Sequence, residues 1–157
     1  MAIFAKYDGV DGESQDTAHQ GWIDVHSLDW GAHRSDGGGA GSRRRGAAIL
    51  EDFVLTLEYG KAAPKLQEIC LKGKTVAKLE VELTSTIGNT RATYLRYELK
   101  NVSVLSFQTN AEGEDEMAPA VIVANNFEEI KVVYTEYDET GSSQGKVETK
   151  YKHKNSK

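Results

Sequence analysis

A mainly antiparallel β fold with one short helix is what this sequence predicts, and three observations carry the prediction. Apolar residues recur at every second position along most of the chain, the period of a half-buried strand. Helical spacing of apolar residues is confined to residues 62–74. Clusters of Gly, Asp, Asn and Ser separate the runs, as turns demand. Strands with a lone helix favour a compact barrel or sandwich. With 157 residues and two prolines, the chain reads as a single domain over 1–157.

The first strands are the least marked: "AIFAKYD" from Ala2 and "GWIDVHSLDW" from Gly21. Residues 31–46 then read as an extended glycine-rich loop, too long and too flexible for a hairpin turn. It holds Gly37, Gly38, Gly39 and Gly41, followed by Arg43, Arg44 and Arg45. "ILEDFVLTLEY" sets Ile49, Phe53, Leu55, Leu57 and Tyr59 on one face, with Glu51 as the exception.

"AAPKLQEICLKGK" breaks the alternation. Pro64 suits a first helical turn, Gly73 a helix end, and Leu66, Ile69 and Cys70 share one side. The spacing predicts a helix over about 64–72, packed on the side of the sheet.

"VAKLEVELTSTI" is a clean half-wet strand. Ala77, Leu79, Val81, Leu83 and Ile87 face one way; Lys78, Glu80, Glu82 and Thr84 face the other. In the run 90–110 the apolar parity switches between Leu99 and Val102, which predicts a bulge or bend near Asn101. The run 120–137 reads as a further strand, and 145–152 as the last, with Val147, Thr149 and Tyr151 on one face.

Composition excludes several function classes. The net charge is -5, so a basic patch must be local and nucleic acid is not a default partner. One cysteine, Cys70, permits no intrachain disulfide. The N-terminus lacks the basic and apolar regions of a signal peptide, and no apolar run is long enough to span a membrane. Synthesis in the cytoplasm is expected, with any export left to another machine.

Little in the chain points to catalysis. "GGGAG" is followed by arginines and a strand rather than by the lysine, hydroxyl residue and helix of a phosphate loop. Asp8, Asp11 and Glu13 do not follow the ligand order of a calcium loop and read as an acidic turn, as does the segment Glu112 to Glu116. His19 and His26 have odd separation, so one strand would point them to opposite faces. Cys70 reads as an apolar filler, and Trp22 and Trp30 as core aromatics. No catalytic, cofactor-binding or metal-binding residue is expected, and no enzymatic activity.

The arginine triplet remains. Three adjacent arginines cannot be buried unpaired, so they must be solvated or meet acids on a partner. A second copy of this acidic chain offers such acids.

Several segments together resemble the Hcp family, the haemolysin-coregulated tube proteins of type VI secretion. They are "YDGVDGES", "GWIDVHSLDWG", the glycine-rich loop Gly37 to Gly41, "LEDFVLTLEYGKAAPKLQEICLKGK" and "YLRYELKNVSVLSFQT", in that order. The resemblance covers essentially the whole chain. It implies a barrel with a helix on its side, a hexameric ring, and rings stacked into a tube. It implies export by the type VI machine without a signal peptide. The implied partners are other copies, effector proteins held in the lumen, and sheath and spike or baseplate components, with no nucleic acid and no membrane insertion. No fused toxin domain is expected after the last strand. The cluster "SRRR" is denser in arginine than the family leads one to expect. On this reading Gly37, Gly38, Gly39, Gly41, Arg43, Arg44 and Arg45 reach the neighbouring ring. The competing readings are a monomeric adaptor gripping an acidic partner with this arm, a hydrolase built on "DGVDGES", and a phage-like tail tube.

Overall fold

The computed structural model describes residues 1–36, 45–114 and 116–153. In chain order its elements are β1 Ala2–Tyr7, β2 Ile23–Asp29, β3 Ala32–Asp36, β4 Arg45–Leu50, β5 Phe53–Glu58, α1 Ala62–Lys72, β6 Thr75–Ile87, β7 Thr90–Asn110, β8 Ala120–Asn126, β9 Glu129–Tyr137 and β10 Ser143–Lys152. Every strand pairing is antiparallel. The mainly β prediction holds, with a barrel rather than a sandwich.

Six strands close the barrel, in the order β7-β6-β1-β2-β5-β8 and back to β7. Closure removes free edges from this part of the sheet. Strands β9 and β10 lie outside the ring, attached through β7. This is possible because β7 has two halves. Leu95 to Lys100 pairs with β9, whereas Ser103 to Asn110 pairs with β8. The predicted bend lies between them: Asn101 has φ 53, the left-handed region that asparagine tolerates better than most residues. A register shift between Val104 and Ser106 completes the change of direction.

Strand alternation fills the barrel. Ala5 and Tyr7, Phe53 and Leu55, Leu79 and Val81, Leu99, and Val121 and Val123 are all 0% exposed. One polar pair sits among them. The Tyr7 hydroxyl donates to Asn125 Oδ1 at 2.7 Å, and Asn125 Nδ2 donates to the Phe53 carbonyl at 2.9 Å. Burial pushes the Tyr7 phenol well above its ordinary range, against the opposing effect of the Asn125 bond.

The helix packs against β7 and buries Ala62, Ala63 and Leu66. Gly73 ends it in the left-handed conformation, φ 64, as its sequence position predicts. The helix begins at Ala62, two residues before the expected start.

Three expectations need correction. Residues 31–46 are not a loop throughout: Ala32–Asp36 pairs with Arg45–Leu50 as a two-stranded ribbon. The run 49–59 divides at Glu51 and Asp52, and Glu51, the exception in the alternation, stands at the break. The run 120–137 divides at Phe127 and Glu128, where the regular burial of odd positions from Val121 to Phe127 ends and Ile130, at an even position, is the next buried residue.

Candidate functional site

The predicted contact residues Gly37, Gly38, Gly39, Gly41, Arg43 and Arg44 lie outside the described residues. Arg45 opens β4, and its backbone is opposite Asp36 in the ribbon. The two strands that flank the arm, β3 and β4, are paired to each other. His33, on β3, lies 3.6 Å from Glu51 at the ribbon's base.

The other candidate surface is the sheet β6-β7-β9-β10, whose two faces differ sharply. One face carries Glu80 and Glu82, Arg96 and Glu98, Lys131 and Glu129, and Glu148, Lys150 and Lys152, in register across the strands. Arg96 ties three strand positions together: it bonds Glu82, Glu80 at 2.5 Å and Glu98 at 3.3 Å. Further pairs join Lys131 to Glu148 at 3.8 Å and Lys150 to Glu129 at 3.7 Å. Each exposed pair adds little, but the half-buried Arg96 network holds its carboxylates in fixed geometry. Its hydrogen bonds to Glu80 and their mutual attraction keep the Arg96 guanidinium above its ordinary range despite partial burial.

At one end of this charged face sits His19, 3% exposed. Its Nδ1 is 2.7 Å from Asp16 Oδ2 and its Nε2 is 2.7 Å from Glu82 Oε1. The ring thus bridges two acids from opposite edges. Phe4 stacks on it at 4.3 Å, and Trp22 meets it edge-on at 4.9 Å. The His19 bond is the largest cause holding the Asp16 carboxyl below its ordinary range, and Arg91 adds to it. Glu82 is also lowered: bonds from His19 and Thr93 outweigh its desolvation. The cluster locks the segment 8–22 onto β6. Sequence reasoning set His19 aside on its odd separation from His26, and its actual partner Glu82, 63 positions away, leaves no spacing signal.

The opposite face is apolar. Leu95, Tyr134 and Val147 form one row, Tyr97, Val132 and Thr149 the next, and Leu99, Ile130 and Tyr151 the third. The rows pass from the barrel core to solvent: Leu99 is 0% exposed, Tyr134 48% and Val147 72%. Trp30 covers part of this face, packing on Tyr97 and Phe53, as its reading as a core aromatic predicts.

A cleft of about 180 Å³ opens beside the N-terminus of α1, lined in part by Glu13, Asp24, Glu58, Tyr59 and Lys61. Desolvation, then the Glu58 and Asp16 carboxylates, raise the Asp24 carboxyl above its ordinary range. Glu13 is engaged structurally, accepting from the Lys61 backbone N–H at 2.6 Å. Among the described residues no group of three His, Cys, Asp or Glu is placed to hold a metal ion. Among the described residues, no helix is long and apolar enough to cross a membrane.

A closed barrel of six strands, extended by a two-stranded overhang and carrying a protruding ribbon, defines a distinct class of β-barrel chain. Residues 4–140 match the family described as "Type VI secretion system effector, Hcp". The chain belongs to the Hcp family of type VI secretion proteins. It is 31% identical over 145 residues to Protein hcp1 of Pseudomonas aeruginosa, covering 91% of this chain and 88% of that one. A solved type six secretion system protein is similar with a TM-score of 0.84 and 28% identity, over 93% of this chain and 91% of that chain. Hcp1 from Salmonella typhimurium is similar at a TM-score of 0.80 and 25% identity, over 96% and 93% of the two chains.

Proposed function

We propose that this chain, as one domain over 1–157, forms hexameric rings that stack into the inner tube of a type VI secretion machine. The match to the Hcp family over residues 4–140 is the observation that carries the reading. The chain is exported with the tube, holds effector proteins in the lumen, and works beside sheath and spike components without enzymatic activity of its own.

The ribbon β3–β4 supports a role for the arm. It stands apart from the barrel sheet as its own two-stranded unit. At its end, Gly37, Gly38, Gly39 and Gly41 free the backbone to follow a neighbouring surface. Arg43, Arg44 and Arg45 find carboxylates on the adjacent ring, in a chain whose net charge is -5.

Absolute molar mass by light scattering, across a concentration series at physiological salt, tests the ring. A stable hexamer is expected; a monomer at every concentration overturns the reading in favour of a free-standing adaptor. Deleting residues 36–45 tests the arm. Rings should persist while stacking weakens, and a deletion that leaves only monomers places the arm within the ring contact instead.

A further inference from the structure

Helix α1 rests on the barrel by one side and turns the other to solvent. Ala62, Ala63 and Leu66 are buried, whereas Lys65, Gln67, Leu71 and Lys72 are exposed. Leu71 stands 77% exposed, the one large hydrophobic side chain of this helix to do so. Such a side chain normally lies on the packed side of an amphipathic helix. Together with Pro64 and Glu68, the four exposed residues line one shallow depression along the helix.

Cations are dense here for so acidic a chain. Residues 61–74 hold four lysines, Lys61, Lys65, Lys72 and Lys74, and one acid, Glu68, in a chain of net charge -5. Lys72 Nζ donates to Glu68 at 2.9 Å. That bond first, and then attraction to Lys72, Lys65 and Lys74, holds the Glu68 carboxyl below its ordinary range, so three ammonium groups gather around one carboxylate. Lys72 is accounted for by its place in the last turn, where a cation suits the helix dipole. Lys65 is not: it lies near the helix start, where the dipole disfavours a cation. Among the described residues neither Lys65 nor Lys74 forms a close ion pair.

We propose that this face of α1 docks an acidic amphipathic helix of another protein, one with carboxylates about seven residues apart and an apolar side chain between them. Lys65 and Lys72 are themselves seven residues apart, so they project from the same side of α1, about 10 Å apart along its axis. Carboxylates at the matching spacing meet both lysines, which fixes the register of the partner helix. Its apolar side chain covers Leu71, and Glu68 disfavours an acid at the centre of the contact. Nucleic acid would want aromatic side chains to stack on, and α1 has none. A helix that lies on a membrane presents a broad apolar face rather than Leu71 alone. A second copy offers no acidic helix, because α1 is the only helix among the described residues. The inference therefore concerns a partner other than this chain and does not rest on the ring reading above.

The test titrates the full chain into a fluorescein-labelled synthetic helical peptide with two glutamates seven residues apart and a leucine between them. Fluorescence anisotropy should show saturable binding that weakens as salt rises. Lys65→Glu and Lys72→Glu should each weaken it about fivefold, and Leu71→Ser about tenfold. Circular dichroism checks the fold, and Lys65→Ala with Lys72→Ala replaces any reversal that disturbs it, with loss in the same direction. Lys131→Glu makes the same change in net charge on the other charged face, where Lys131 meets Glu148, and should leave binding unchanged. If the peptide does not bind, or if Lys131→Glu weakens it as much as Lys65→Glu does, the proposal is overturned. If phosphatidylglycerol vesicles bind through the same lysines and the peptide does not, the partner is a membrane and the proposal is likewise overturned. Light scattering of the same variants separates the remaining case: a changed particle mass assigns this face to a contact between copies instead. The mass of the parent chain bears on the ring reading and leaves this one untouched.

Discussion

The Glu13 carboxylate accepts a hydrogen bond from the Lys61 backbone N–H at 2.6 Å, so a loop residue caps a helix whose N-cap lies 48 positions later. Lys61, at the N-cap, offers no side-chain cap of its own. A carboxylate on this N–H satisfies an orphan donor and sits well in the helix dipole. Glu13→Ala should cost about 1 kcal/mol of stability, a typical capping loss. Urea melts at constant slope measure it, and an unchanged midpoint would show that water caps the helix equally well. Gly60 belongs to the same device, because a Cβ there would stand 2.4 Å from Glu13 Oε2. Gly60→Ala should displace the carboxylate, so the two substitutions together should cost less than their sum.

His19→Phe should preserve the stacking on Phe4 and lose both carboxylate bonds. Asp16 and Glu82 are then left facing an apolar ring, and the expected loss is about 2–3 kcal/mol. Adding Glu82→Gln removes one stranded charge and should recover part of it. A thermal melt of the parent and the two variants decides: a single variant as stable as the parent would mean that the clasp contributes nothing.

Tyr7→Phe removes the hydroxyl that satisfies Asn125 Oδ1 in the barrel core. An unsatisfied buried acceptor costs about 1–3 kcal/mol. Replacing Asn125 as well, by Leu, should be milder than the two single losses summed, since the tyrosine hydroxyl and its acceptor are then removed together and only the Phe53 carbonyl loses its Asn125 donor. Denaturant midpoints of the four proteins form the cycle.

Acid should weaken the fold through Asp16 and Glu82. Both carboxyls bind protons less readily in the folded chain than in the unfolded chain, by virtue of His19 in particular. Their stabilisation is complete above the unfolded carboxyl range, about pH 4, and is lost as pH falls through the lower folded values. The melting temperature should fall from pH 6 to pH 3, and by less in His19→Phe. Asp24 acts with the opposite sign, since its raised carboxyl opposes folding once ionised. Asp24→Asn should raise the melting temperature at neutral pH and leave it unchanged at pH 3.

The barrel strands were legible because alternation follows the pleat, and the switch of parity after Leu99 announced the bend at Asn101. Glu51 marked a break that was read only as an exception. The ribbon was not legible: "AHRSD" and "RGAAIL" have no common alternation, and of their hydrophobic residues Leu50, at the end of β4, is the one packed on the core. The His19 cluster stayed hidden for another reason. A clasp assembled from a turn and the middle of a distant strand leaves no spacing signal. The exposed Val147 and Tyr134 read as ordinary alternating positions, because a sequence pattern reports which face is apolar and not whether anything covers it.

Strand β7 has 21 residues. At about 3.3 Å per residue it would run about 70 Å if straight, longer than a compact chain of this length is wide. The Asn101 corner lets so long a strand fit, and it makes β7 a beam shared by the barrel and the overhang. A load arriving at the overhang passes along one continuous backbone into the barrel wall, with no loop between to stretch. The pairing with β6 runs along the first two-thirds of the beam, from Thr90 to Ser103, so an axial pull there must break its hydrogen bonds in shear together rather than peel them singly. The beam is braced at its corner from both sides, by β6 along one edge and by β9 and β8 along the other.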